Sequence, residues 1–467
     1  MSFSEFLNSR RLAAKQLVSG LGGQFDYVSI LGADIRARTI RADRNSTSIS
    51  TGSDTECGFV IKMVRGGIFF EYSLDDIAEN TGILVQRISE AFQISAALKA
   101  PHIAPVTLSD EPLVQSFCRP DDLNEYPEAQ LLEFCKTQRD AILSGSPHMK
   151  NAIVLVSSLE VSKLFVSANR ELDQHYSWIN GTLVGIYRET DRVVHVREGA
   201  DAHLIGDVLK ELPTLTEKLI QKAHKLSYAK PIVPGVYDVI TDPSITGLIA
   251  HEAFGHGVEL DQFVKDRALA KEYVGKYVAS PICNMRDGAA SVLSAGSYFF
   301  DDDGVLACDT QIIKDGILVT GISDLASAVQ LGLSPTGNGR RESTRRKAYS
   351  RMTNTFFEKG SDKLEDMIAS IDHGYMIFET NNGMEDPKNW AIQCVAEYGI
   401  EIVDGKLTEN YVSPVVMSGY VPDLLKSISM ISDGFKVTGS GSCGKGYKEW
   451  VRVSDGGSAL KVRVKLG

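Results

Sequence analysis

A carboxylate can sit on the apolar stripe of a helix only if something inside the fold holds it, and residues 241–261 present that demand. In TDPSITGLIAHEAFGHGVELD, Asp242 suits an N-cap and Pro243 the first helical position, while Ile245, Leu248 and Ile249 form one apolar stripe. Glu252 lies three residues after Ile249 and four after Leu248, so it continues the stripe and faces the interior. A metal ion between His251 and His256 would supply the missing partner and would give Glu252 the role of general base. The two histidines are five apart, not four as in HExxH. Five residues leave two imidazoles roughly 140° apart on a regular α-helix. The sequence therefore predicts a π-bulge or a helix end there, with Gly255 and Gly257 in glycine conformations. On the residues alone, the competing account is two satisfied, partly buried histidines with Glu252 paired to an arginine.

The rest of the chain predicts an α+β fold. At 467 residues it calls for two or three packed units. The N-terminal segment reads as an amphipathic helix, FDYVSIL and DIRARTIR as strands, and GFVIKMVR with GIFFEY as a hairpin over Gly66-Gly67. A helix is expected from Asp75 to Leu98, then a meander from Ala152 to Glu198 turning at Asn180-Gly181, then a helix from Ala202 to Ala229. These elements make an N-terminal antiparallel sheet with packed helices, residues 1–229, divisible at about residue 110 into 1–110 and 111–229. Pro231, Pro234 and Gly235 mark a boundary near residue 230. Residues 230–467 are read as a mostly antiparallel β domain carrying the metal-site helix. Its hairpins are expected at Asp303-Gly304, Asp315-Gly316 and Asp404-Gly405, with a helix over 363–371.

Composition narrows the function class. A formal net charge of -11 repels polyanions and argues against nucleic acid as a direct partner. No run of 18 apolar residues occurs, so no membrane span is expected, and the N-terminal helix has Arg10, Arg11 and Lys15 where a signal peptide is apolar. Seven cysteines, odd in number and without CxxC spacing, suit a reducing compartment, and the expectation is a cytoplasmic protein. Cys283, Cys308 and Cys394 fall in apolar runs and are assigned to the core. Cys443, in the Gly/Ser-rich run TGSGSCGKGY, is read as a loop thiol beside Lys445, which favours the thiolate. On the residues alone it is a candidate third metal ligand, a nucleophile or a plain loop thiol, and Glu259 and Asp261 are alternative third ligands.

Other motifs weigh less. GSGSCGK approaches a phosphate loop but has Gly446 where the hydroxyl belongs and no helix after it. Asp301, Asp302 and Asp303 lack the later ligands of a calcium loop and read as a polar hairpin turn. The basic run from Arg340 to Arg351 suits a peptide carboxylate or an acidic surface of its own fold better than nucleic acid. His102, His148, His175, His195, His203 and His224 lack ligand spacing, and His373 reads as a helix C-terminus.

HEAFGHGVELD, YFFDDDGV, the IIKDGIL run, LSPTGNGRR, SRMTNTFFEKG and GSCGKG, in that order, resemble the TldD/PmbA metallopeptidase family, also called modulators of DNA gyrase. The resemblance covers the second half, more loosely the first, and HExxxH places the chain on the TldD-like branch. It implies a zinc peptidase acting on peptides or unfolded segments inside a dimer, either a homodimer or a heterodimer with a PmbA-like chain. It further implies Zn²⁺ on His251, His256 and Cys443, with Glu252 as base. The rival is a non-catalytic peptide-binding or partner subunit. The chain departs from the family after CGK, where GYKEWVRV replaces the usual residues.

Overall fold

Two sheet systems built from opposite halves of the chain meet along a polar interlock. The computed structural model describes residues 3–97, 111–446 and 449–467. Helix α1 (Glu5–Gly22), capped by Ser4, and helix α2 (Thr81–Ala97) cover strands β1 (Tyr27–Ala42) and β3 (Glu56–Arg65) through Leu7, Leu17, Leu21, Phe59, Leu84 and Ile88. Strand β2 (Thr47–Thr51) pairs with β1, and the Gly66-Gly67 hairpin joins β3 to β4 (Ile68–Leu74) as expected. The two β runs of residues 27–42 are one continuous strand. Helix α2 begins at Thr81 rather than Asp75, because Asp76 turns its carboxylate onto the N–H groups of Ile77 and Ala78 and holds a turn there. The expected end at Leu98 lies outside the described residues.

The sheet continues through β5 (Leu113–Cys118), β6 (Met149–Ser167), β7 (Arg170–Tyr187) and β8 (Val194–Ala202), in the order β4-β3-β1-β6-β7-β5 with β8 on β7. One hydrogen-bonded sheet thus draws strands from both sides of residue 110, and β5 enters it parallel to β7. Asn180-Gly181 is not a turn. It lies within β7, and a Cβ on Gly181 would come within 2.4 Å of Leu212 Cδ1, so the glycine admits the helices packed across the strand. Those helices are α4 (Ile205–Glu211) and α5 (Thr216–Ser227), while α3 (Glu128–Ser144) packs on β6 and β1, and the single helix expected over 202–229 is broken by a 3₁₀ turn at Leu212–Leu215 containing Pro213.

In the second half, β9 (Gly235–Thr241) leads into α6 (Pro243–Leu248). Strands β10 (Met285–Asp287), β11 (Thr310–Lys314) and β12 (Ile317–Leu318) follow, then the short pair β13 (Gly339–Arg340) and β14 (Tyr349–Ser350), then β15 (Asn354–Phe357). Next come β16 (His373–Asp386), β17 (Ala391–Val403), β18 (Lys406–Val412), β19 (Val415–Tyr420) and β20 (Met430–Ile431), and finally β21 (Lys436–Lys445), β22 (Glu449–Gly457) and β23 (Leu460–Leu466). Strands β16, β9, β23, β19 and β17 close into a ring, since β16 also pairs with β17. A six-stranded sheet, β12-β11-β10-β15-β22-β21, lies beside it. Pairing is mostly antiparallel, with β9 parallel to β16 and β15 to β22. The hairpins at Asp315-Gly316 and Asp404-Gly405 form as expected, with positive φ at all four residues. His373 opens β16 rather than ending a helix; the helix before it closes at Ala369.

The interlock is made by Asp301, Asp302 and Asp303, all buried although a polar turn would be solvated. Asp303 pairs with Lys62 of β3 and Asp302 with Lys163 of β6, while Asp301 accepts the N–H groups of Asp303, Val305 and Gly339. The basic run serves the same joint: Arg341 pairs with Glu71 at 3.0 Å and Arg345 with Asp75 at 2.6 Å. Replacing Lys62 by Met leaves Asp303 buried without its ion-pair partner, and the expected loss is about 3–5 kcal/mol of stability in a denaturant titration. A change below about 1 kcal/mol would show that solvent reaches the joint.

Candidate metal centre

Asp242 caps α6 through Ile245 N–H at 2.8 Å, as its N-cap position requires. The helix does not continue as α. Residues Ile249–Gly255 form a π-helix, and the His256 N–H donates to the His251 carbonyl, a bond spanning five residues. That span stacks residues five apart, so His251 and His256 fall on one face with ring centroids 5.1 Å apart and planes at 89°. A 3₁₀ turn, His256–Val258, ends the segment. The expected bulge is present, but its glycines act differently from the expectation. Gly255 has φ -59 and ψ -49, ordinary right-handed values. What requires glycine is space, since a Cβ there would lie 2.1 Å from Met352 Sδ, and one on Gly257 would lie 2.8 Å from Glu385 Oε1. Gly255→Val is therefore expected to weaken zinc binding at least about tenfold and to cost about 1–3 kcal/mol by overpacking. Chelator competition reads the first, and unchanged affinity would show that the π turn tolerates the branch.

Cys443 arrives from 187 residues downstream, with Sγ 3.6 Å from His256 Nε2. It sits in β21, not in a loop, and is 3% exposed. The strand is held in place by the wholly buried Arg351, which donates to the carbonyls of Cys443 (2.6 Å) and Glu449 (3.1 Å). One ligand atom each from His251, His256 and Cys443 lies within 4.8 Å of the others, the one such group of three or more among the described residues. Glu259 and Asp261 are engaged elsewhere. Glu259 Oε2 lies 3.2 Å from His256 Nδ1 and 2.9 Å from Lys445 Nζ, and Asp261 pairs with Lys445 at 2.6 Å and Lys265 at 2.8 Å.

These partners set the protonation states. Burial opposes ionisation of Glu259, but Lys445 and His256 outweigh it and pull the carboxylate down to about 2. An ionised carboxylate only accepts, so His256 Nδ1 carries the proton and Nε2 is the nitrogen turned toward Cys443. Burial likewise opposes the Cys443 thiolate, but His256 and His251 hold the thiol well below its usual range. His251 Nδ1 is buried without a hydrogen-bond partner. Two imidazoles and a thiolate within 4.8 Å of one another form the N/S donor set that zinc prefers.

Glu252 lines the same cleft, which has a volume of about 1270 Å³ and runs from the histidines to β8, β16 and β21. Burial raises its carboxyl above the usual range against the pull of His251 and His256, and its Oε1 lies 3.9 Å from His251 Nε2. Glu385 escaped the sequence reading. Its Oε2 accepts the Gly257 N–H at 3.1 Å, and burial pushes the carboxyl up to about 8. Only the requirement for a small residue beside His256 hinted that another group closes in there. Of the other residues weighed, Cys283 and Cys394 are buried, whereas Cys308 is only partly so, its thiol donating to the Leu306 carbonyl at 3.4 Å rather than packing in the core. His175 is buried between Ser162 (3.0 Å) and Asp121 (3.2 Å). His102 lies outside the described residues.

Residues 234–459 match the PmbA/TldA metallopeptidase C-terminal domain. A metalloprotease of Synechocystis is 28% identical over 466 residues, 97% of each chain. A zinc metalloprotease TldD homolog of Saccharolobus solfataricus is 29% identical over 354 residues, 74% of this chain and 77% of that protein. Among solved structures, a Thermotoga maritima protein described as a modulator of a DNA gyrase shares the fold with a TM-score of 0.77 at 15% identity, over 98% of this chain and 99% of that one. TldE from Thermococcus kodakarensis does so with a TM-score of 0.76 at 19% identity, over 97% and 100%.

Proposed function

From the premise that this chain belongs to the TldD/PmbA metallopeptidase family, we propose that it is a zinc-dependent peptidase, with His251, His256 and Cys443 holding Zn²⁺ and Glu252 as general base. The observation that carries the reading is the convergence of three ligand atoms within 4.8 Å on the wall of a large cleft. When bound, the ion supplies Lewis-acid polarisation of the scissile carbonyl and makes water nucleophilic at neutral pH. Glu252 takes the proton of the attacking water and returns it to the leaving amine, a double role suited to a carboxyl raised by burial. Glu259 orients His256 and Lys445 braces Glu259, so the pair positions one ligand without touching the reacting atoms. Strand β21, at the edge of its sheet, offers main-chain groups to an extended peptide, which supports sequence-tolerant binding of peptides or unfolded segments.

Trp450, which pairs with Gly444 across β21 and β22, stands half-exposed beside the site where the chain departs from the family pattern. The working unit in this reading is a dimer, a homodimer or a heterodimer with a PmbA-like chain, in the cytoplasm. No described helix is long and apolar enough to cross a membrane. The test is metal analysis with digestion of an unstructured peptide, by the chain alone and with a PmbA-like partner. Stoichiometric zinc and chelator-sensitive hydrolysis are expected. Metal-loaded protein that binds peptide but cleaves none in either state would favour a non-catalytic peptide-binding subunit.

A further inference from the structure

The cleft that contains the metal centre is far more acidic than a generic peptide channel needs to be. It is lined by nine carboxylates against four Lys and Arg side chains. Two of those cations are already taken, Lys445 by Glu259 and Asp261 and Lys218 by Glu198. Asp201, Asp242, Glu252, Glu385, Glu397 and Asp455 line the cleft with no Lys or Arg ion pair among the described residues. Glu385 Oε1 is a buried atom with no hydrogen-bond partner, its other oxygen being spent on Gly257 N–H. Glu379 and Glu397 come from neighbouring positions across the irregular stretch of β16 and β17, where Phe378 faces Tyr398 and Thr380 faces Ala396. Like charges so placed destabilise a sheet, and Lys222 reaches Glu379 (2.6 Å) without pairing with Glu397.

We propose that this cleft selects cationic substrates, a lysine- or arginine-bearing peptide segment lying between β8 and the β16–β17 hairpin, an inference that rests on the peptidase reading above. Ammonium or guanidinium groups would meet carboxyl groups that have no Lys or Arg ion pair of their own. Burial, with Glu379 adding to it, pushes Glu397 up to about 7 against the pull of Lys222 and Arg197, and burial brings Asp201 to about 6 against that of Lys436. A second metal ion fits less well. No other group of three ligand atoms converges among the described residues, so the carboxylates are spread along the cleft as a row of side chains would need.

The test uses three fluorescent, unstructured peptides of one frame, carrying Lys, Ala or Glu at the same three positions. Binding is measured to the zinc-loaded Glu252→Gln chain, and turnover by the unaltered protein. At low salt the Lys peptide is expected to bind at least about tenfold tighter than the Glu peptide, with the gap shrinking as salt screens the cleft. Asp201→Asn with Glu397→Gln should narrow the gap to a few-fold. Glu365→Gln with Asp366→Asn, which removes two carboxylates from an exposed helix, should leave it intact. Equal binding of Lys and Glu peptides overturns the proposal, as does a gap that both double variants reduce alike, since net charge would then be the cause. Turnover without charge preference overturns this inference alone, and charge-selective binding without turnover of any peptide overturns the peptidase reading alone.

Discussion

Glu252→Gln is expected to lower kcat for peptide hydrolysis by about 10²–10⁴-fold while leaving zinc content, fold and peptide affinity close to those of the unaltered chain. Gln keeps the size of the side chain and removes only its ability to take a proton. The position tolerates an amide, since Glu252 lies beside the ligands rather than among them, 3.9 Å from His251 Nε2. A neutral side chain also relieves the burial that raises the carboxyl, so the variant should not lose stability. Loss of zinc together with activity would make Glu252 part of the metal's support. Loss of peptide binding together with activity would give it a structural role at the cleft wall.

Cys443→Ser is expected to have the larger effect on the metal. Structural zinc sites with four protein ligands are worth about 10–16 kcal/mol, so one ligand accounts for about 3 kcal/mol, or more than about a hundredfold in affinity. The loss should reach that size because Glu259 and Asp261 are tied to Lys445, and either would have to break a buried ion pair to swing in and replace the sulfur. In the unaltered chain, cobalt should give an intense thiolate-to-metal band that Cys443→Ser abolishes, and bound zinc should protect the thiol from alkylation. Full occupancy with an unchanged cobalt spectrum would move the third ligand to a carboxylate.

What local chemistry dictates was legible before any coordinates. Asp242 and Pro243 begin a helix because one supplies an acceptor and the other lacks a donor, and both effects act within three residues. Asp315-Gly316 and Asp404-Gly405 turn hairpins because their backbones accept positive φ. The five-residue spacing of His251 and His256 demanded a broken α-helix if they were to act together, and the π turn meets that demand.

Where several local readings were compatible with one string, only packing chose among them. Asn180-Gly181 has the chemistry of a turn, yet it runs through a strand because the close approach of Leu212 and Val208 gives the glycine another use. Asp301 to Asp303 have the chemistry of a solvated loop, yet they are buried because lysines from a distant sheet meet them there. The Gly/Ser-rich run around Cys443 becomes a strand because β22 supplies hydrogen-bond partners that its own side chains do not announce. Hydrogen-bond acceptors at caps and φ preferences in turns are properties of neighbouring residues, so the sequence by itself determined the helix start, the hairpins at Asp315-Gly316 and Asp404-Gly405, and the approach of two histidines beside a half-buried glutamate. The approach of Cys443 to His256, the carboxylate of Glu385 beside Gly257 and the acidic cleft join groups more than a hundred residues apart, and nothing short of the folded chain could bring them together.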